Sequence, residues 1–209
     1  MKIDRNEVLR YMGQRREAPS EDIMQTVESV CTEMERTVKP RYIYKVLPIT
    51  SDGERVFAEG TVFESKKLAG HLRETENAAI LCATLGVEAD NIIRRSALTG
   101  TLNASAAQAA GAAMIEQVLD EVCVRIAEDT GLFTLSRFSP GYGDWTLSDQ
   151  RTMLSLADAT KRIGITLTDS MMMLPTKSVT AIVGLSDKCK HNNTRSCDSC
   201  NKKDCDFRR

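Results

Sequence analysis

From Leu102 to Ile126 the chain is dominated by Ala and other good helix formers, with no Pro to interrupt them. A run of this length and composition predicts one long helix. Its many small side chains let a neighbouring element approach closely. Upstream, Ala78 to Thr84 is a continuous apolar run bounded by Asn77 and Gly86, the pattern of a strand buried on both faces. A long helix of small residues and a fully buried strand require a layered domain in which helices pack on a sheet.

The remaining elements come in mixed order. Asp4 is placed to cap a short helix through Tyr11, and Pro19-Ser20-Glu21-Asp22 opens a longer one with Ile23, Val27, Val30 and Met34 at helical spacing, ended by Pro40. Arg41 to Pro48 is rich in β-branched and aromatic residues and reads as a strand. Ser51-Asp52-Gly53 forms a turn, Thr61 to Phe63 a further short strand, and Ser65 caps a helix over Lys66 to Arg73. Leu132 to Leu135 predicts a strand leading into a loop at Arg137. Thr146 or Ser148 caps a helix over 149–162, and Ile165 to Thr168 and Val179 to Val183 are strands. The order does not alternate strictly between helix and strand. The expectation is therefore an α+β fold with a largely antiparallel sheet over residues 1–186, followed by a short polar, Cys-rich tail at 187–209.

The chain has 209 residues, enough to remove about 70% of its unfolded surface from water. With 28 basic and 29 acidic residues its net charge is −1, so no global field draws it to nucleic acid or to a membrane. No apolar run approaches the roughly 20 residues of a spanning helix, and Met1-Lys2-Ile3-Asp4-Arg5 lacks the apolar core of a signal peptide. A cytoplasmic location is the expectation.

Seven cysteines divide into two groups. Cys31, Cys82 and Cys123 lie in apolar or helical stretches and read as small buried hydrophobes. Cys189, Cys197, Cys200 and Cys205 all fall in the tail, spaced Cys-x7-Cys-x2-Cys-x4-Cys. Four thiols so close together in a cytoplasmic protein point to a metal, and the central Cys-x-x-Cys suits zinc or an iron–sulfur cluster equally. His191 is a possible substitute ligand. A redox-active thiol tail and an unliganded one are the other readings. His71, in Leu68-Ala-Gly-His-Leu, reads as a helix-surface residue, and Met171-Met172-Met173 as core filler or as a polarisable contact surface.

The hexapeptide Arg137-Phe138-Ser139-Pro140-Gly141-Tyr142 carries the chemistry. Arg137 can hold a carboxylate in a two-pronged hydrogen bond. Pro140-Gly141 favours a type II turn with Gly at positive φ, and Tyr142 offers a flat face and a hydroxyl. Gly143-Asp144-Trp145 adds a carboxylate and the only Trp. Taken alone, an Arg before a turn also fits an ordinary strand–turn–helix connection with a local ion pair.

These residues resemble the S-adenosylmethionine-binding activation domain of cobalamin-dependent methionine synthase. That family carries an Arg-x-x-x-Gly-Tyr motif, matched by Arg137, Gly141 and Tyr142, with Pro140 fitting its usual Pro-Gly-Tyr. A second block reads roughly Gly-x-x-Leu-Thr-Glu-Ser-x-x-Met-x-Pro-x-x-Ser-Val-Ser in the family. It is matched by Gly164-x-x-Leu167-Thr168-Asp169-Ser170, Met173-x-Pro175 and Ser178-Val179-Thr180. The match covers about Leu132 to Val183. After the tyrosine the full-length enzymes usually carry a Cys-Pro-x-His type sequence, where this chain has Gly143-Asp144-Trp145.

The resemblance implies that Arg137, Pro140, Gly141 and Tyr142 bind S-adenosylmethionine. Acidic partners for its ammonium and sulfonium would come from the Ala-rich helix, among Glu116, Asp120 and Glu121, with Glu116 favoured. It implies a stand-alone component of a cobalamin-dependent methionine synthase system, a methyltransferase of methionine biosynthesis. Such a subunit supports reductive remethylation of the cobalamin of a methionine synthase lacking its own activation domain, or of a related corrinoid methyltransferase. A low-potential donor of ferredoxin or flavodoxin type would supply the electron. No catalytic acid–base pair is called for. The alternatives are an iron–sulfur electron-transfer or redox protein, and a zinc-tailed module that binds a corrinoid protein without methyl transfer.

Overall fold

The computed structural model describes residues 1–14 and 18–188. By internal contacts, Met1–Pro40 with Leu85–Val118 form one unit, and Arg41–Thr84 with the described residues from Leu119 onward form another. The four tail cysteines and His191 lie outside the described residues.

In the first unit, Asp4 and Ser20 cap α1 (Arg5–Tyr11) and α2 (Glu21–Thr37), each side chain accepting a backbone N–H of the first turn. Arg5 ties α1 to α2 by a two-pronged contact with Glu28 at 2.9 and 3.0 Å and a further bond to Glu35. Glu35 also accepts the Ile3 N–H at 2.8 Å. Helix α4 (Val87–Thr99) follows Gly86, and the sequence reading did not separate it. Gly100 then turns the chain into α5 (Thr101–Thr130), the 30-residue helix expected from the Ala-rich run. Its Ala106, Ala107, Ala110 and Ala113 are buried, at the three- and four-residue spacing of a single helix face.

In the second unit, a six-stranded antiparallel sheet is ordered β3-β2-β1-β4-β8-β5. Its strands are β1 (Arg41–Ser51), β2 (Arg55–Ala58), β3 (Thr61–Glu64), β4 (Asn77–Thr84), β5 (Phe133–Phe138) and β8 (Ser178–Ser186). β4 is buried from Ala78 to Thr84, as its unbroken apolar sequence requires. A separate hairpin joins β6 (Thr166–Leu167) to β7 (Met173–Leu174).

One face of the sheet carries Leu47, Ile49, Val56, Ile80, Cys82 and Ile182, packed under α3 (Lys66–Leu72), Trp145, α6 (Gln150–Leu156) and α7 (Ala159–Ile163). The helix expected over 149–162 is therefore two short ones. A 3₁₀ turn at Leu147–Asp149, capped by Thr146, precedes them, and Asp158 sits between them in the left-handed region at φ 52°. The fold class is α+β, as expected. Cys31 and Cys82 are fully buried, and burial pushes their thiols up to about 11 and about 12. Cys123 departs from the expectation, being only half-buried.

Candidate functional site

Arg137 lies in strand β5 and not in the loop expected from the sequence. It pairs in register with Val183 of β8, and Phe138 pairs with Ile182. Side chains opposite each other in a ladder share a face. Arg137 is thus on the Val183 side, and Phe138 is on the side of the hydrophobic core. From the C-terminal part of α5, Asp120 meets the guanidinium: Nη1 donates to Oδ1 at 2.6 Å. Cys123 Sγ stands 3.9 Å from the same nitrogen. The carboxylate side chain is 67% exposed and the arginine 23%, so the pair contributes at most about 1 kcal/mol.

Helix and strand spacing explain this meeting. Back from the Gly131 connection, Asp120 is about 16 Å along the helix at 1.5 Å per residue. Forward along the strand, Arg137 is about 20 Å away at 3.3 Å per residue. The two are nearly level. The same spacing puts Glu116 about 22 Å back along the helix, so the arithmetic brings this stretch of α5 level with Arg137 without choosing between the two acids, and the hydrogen bond to Asp120 makes the choice. Glu116 lies half-buried on α5 in the first unit.

Past Phe138 the Pro140–Gly141 turn forms as expected. Tyr142 N–H donates to Ser139 O at 3.1 Å, and Gly141 has φ +90°. A Cβ on Gly141 would sit 3.2 Å from Leu147 Cδ1 as well as in a strained backbone region. Gly141→Ala is expected to lower stability by about 1–2 kcal/mol, read as the midpoint of thermal or urea unfolding. The loop closes through Gly141 N–H to Trp145 O at 2.9 Å and Trp145 N–H to Tyr142 O at 3.0 Å. Pro140 is buried and Tyr142 is 63% exposed, so the turn anchors on one residue and presents the next.

The segment after Tyr142 is used structurally. Asp144 accepts the Ser65 hydroxyl and the backbone N–H groups of Lys66, at 3.0 Å, and Lys67, at 3.3 Å. These bonds, the Ser65 hydroxyl first, hold its carboxyl below the usual carboxylate range. Asp144 therefore joins Ser65 in capping α3 and fixes the loop to that helix. Gly143, at φ +64°, lets the Lys67 stem lie against its backbone, because a Cβ there would fall 2.5 Å from Lys67 Cδ. Trp145 is 2% exposed and donates Nε1–H to Asp149 at 2.7 Å. Its ring meets Phe63 edge-on at 5.3 Å and Phe138 near-parallel at 6.1 Å, and Phe138 meets Tyr142 edge-on at 6.5 Å. An aromatic chain thus runs from the core to the exposed tyrosine.

The second sequence block forms the β6–β7 hairpin and the entry to β8. At its tip Met171 N–H donates to Thr168 O, and Gln150 Nε2–H to Met171 O at 2.9 Å. Met173 packs on the core, whereas Met172 is 60% exposed, so the triplet divides between filler and surface. Pro175 is buried, with its carbonyl 2.6 Å from Ser178 Oγ, and that hydroxyl also lies 2.8 Å from Thr84 Oγ1. These residues shape the turn into β8. Among the described residues no cluster of three or more His, Cys, Asp or Glu is placed to hold a metal ion, and no helix is long and apolar enough to cross a membrane.

Comparison with known proteins gives a family match over part of the chain and a shared fold. Residues 130–208 match the family model described as the activation domain of vitamin B12 dependent methionine synthase. A crystal structure described as the MetH reactivation domain bound to AdoHcy shares the fold, with a TM-score of 0.61 at 16% identity. The alignment covers 78% of this chain and 64% of that one, so this chain spans under two thirds of its structural relative. No curated protein matches. The chain resembles the methionine synthase activation domain in the sequence of its C-terminal portion and in fold.

Proposed function

We propose that this chain is a reactivation subunit that binds S-adenosylmethionine and supports remethylation of the cobalamin of a methionine synthase or a related corrinoid methyltransferase. One observation carries the reading. The family match over residues 130–208 contains a turn at Pro140–Gly141 flanked by a half-buried arginine and an exposed tyrosine. The structural relative, described as bound to AdoHcy, points to the same class of ligand.

Arg137 holds the ligand carboxylate, exchanging its exposed Asp120 partner for one of the same charge. Asp120, once released, faces the ligand's ammonium. Tyr142 presents its ring beside the bound molecule, on a backbone that Gly141 keeps close and fixed. Cobalamin, carried by the partner, supplies the nucleophilic cobalt that accepts a methyl group. A sulfonium leaves as a neutral thioether, so the protein has no proton to move and contributes position and exclusion of water. A ferredoxin- or flavodoxin-type protein provides the low-potential electron. The thiols of Cys189, Cys197, Cys200 and Cys205 form a donor set that suits zinc or an iron–sulfur cluster.

The test is methyl transfer. The protein is mixed under reducing, anaerobic conditions with a corrinoid methyltransferase held in its inactive cobalt state and with S-adenosylmethionine labelled at its methyl group. Label appearing on the cobalamin only when this chain is present supports the proposal. Equal labelling without it overturns it.

A further inference from the structure

The ladder between β5 and β8 is interrupted. Thr134 pairs with Leu185 and Arg137 with Val183, so Leu135 and Ser136 stand where β8 has the single residue Gly184. This is a β-bulge, and its consequence is specific. A strand's side chains alternate, so one extra residue moves everything beyond it to the opposite face. In unbroken register Arg137 would oppose Ile182, on the face packed with Ile80, Cys82 and Trp145, and Phe138 would leave that core. A guanidinium placed there would be buried without a partner. The bulge puts Arg137 beside Asp120 and Phe138 against Trp145.

Two features hold it. Gly184 has no side chain, and a Cβ there would fall 2.8 Å from Leu72 Cδ2 and 2.9 Å from Leu135 Cδ1, so the bulged leucine fills that space. The second feature is His71 of α3. Its Nε2 lies 2.8 Å from Ser136 O, and because a carbonyl only accepts, the imidazole carries its proton on Nε2. The same ring rests on Phe138 at 5.5 Å, tilted by 34°. One side chain thus grips the backbone on one side of Arg137 and the aromatic ring on the other.

We propose that His71 is a positioning residue for Arg137, pinning the β5 bulge through the Ser136 carbonyl and so assigning the guanidinium to the ligand-facing side. The inference rests on the reading of Arg137 as the ligand-binding arginine, but the bulge can be followed without any ligand. Trp145 is the only tryptophan, and it stacks on the ring that the bulge directs inward.

The experiment compares His71→Gln, whose amide N–H reaches the position of Nε2, with His71→Asn, which is polar but too short. Each full-length variant is titrated with S-adenosylmethionine, its tryptophan emission is recorded, and its thermal midpoint is measured. In His71→Asn the emission is expected to shift and the affinity to fall by about tenfold or more, while His71→Gln stays near wild type in both. A His71→Asn protein with unchanged emission and affinity overturns the proposal, and so do Gln and Asn variants that are equally impaired. If the wild-type protein binds no S-adenosylmethionine, the ligand reading fails and emission decides alone: a shift in Asn but not in Gln upholds the pinned bulge, and no difference between them removes it.

Discussion

Arg137→Ala is expected to weaken S-adenosylmethionine binding by about 30- to 150-fold, the effect of removing about 2–3 kcal/mol of charge-assisted hydrogen bonding. The estimate rests on where the guanidinium sits. It is 23% exposed, so its bond to a ligand carboxylate is sheltered from water. In the free protein its ion pair with the exposed Asp120 is worth at most about 1 kcal/mol. Loss of the arginine therefore costs the ligand much more than it costs the fold. Unfolding by urea should shift by no more than about 1 kcal/mol in the variant. Calorimetric titration reads the first quantity and a urea curve the second. A variant that binds like wild type shows that the carboxylate is held elsewhere. Arg137→Lys restores only part of the affinity, because an ammonium cannot make the two parallel bonds of a guanidinium.

The largest effect on stability is expected from Trp145→Ala, a loss of about 3–5 kcal/mol. Trp145 is among the largest fully buried side chains of the molecule. Its ring is fixed by Phe63 and Phe138, and its N–H is satisfied by Asp149. Truncation leaves a cavity between the sheet and its covering helices and an unpaired acceptor on Asp149. It also removes the support of Phe138, so Tyr142 and Arg137 lose their common scaffold. Urea denaturation measures the change. Trp145→Phe, which keeps most of the volume, should recover more than half of the loss. A Trp145→Ala protein within about 1 kcal/mol of wild type would mean that the aromatic chain is peripheral to the core.

Much of this architecture is legible in the sequence, because local signals agree with tertiary needs. The Ala-rich run is a helix, the apolar run at 78–84 is the central buried strand, and Asp4, Ser20 and Ser65 cap helices as their side chains dictate. What escaped had no local signal. Helix α4 begins at Gly86 without a side-chain cap, so nothing announces its start. The break between α6 and α7 falls at Ala157–Asp158, where no Pro or Gly marks it and Asp158 adopts a left-handed backbone. Strand β2 is only four residues long and lies in a charged segment.

The site shows the same division. The Pro140–Gly141 turn is written in its own residues. The placement of Arg137 in β5 is not, because the bulge that orients it depends on Gly184 in another strand and on His71 in a helix. His71 reads as a surface residue only while its strand neighbour is unknown. Asp144 reads as a spare carboxylate until α3 arrives with unsatisfied N–H groups beside it. In each case a side chain's role is set by a partner distant in sequence.

The measurement that bears most directly on the central claim is calorimetric titration of the full chain with S-adenosylmethionine. The account predicts one site with a dissociation constant between low micromolar and sub-millimolar, about −5 to −8 kcal/mol, lost in Arg137→Ala and retained when Glu121, an exposed acidic residue on α5, is replaced by Gln. No binding up to millimolar ligand, or binding that is indifferent to Arg137, would contradict it.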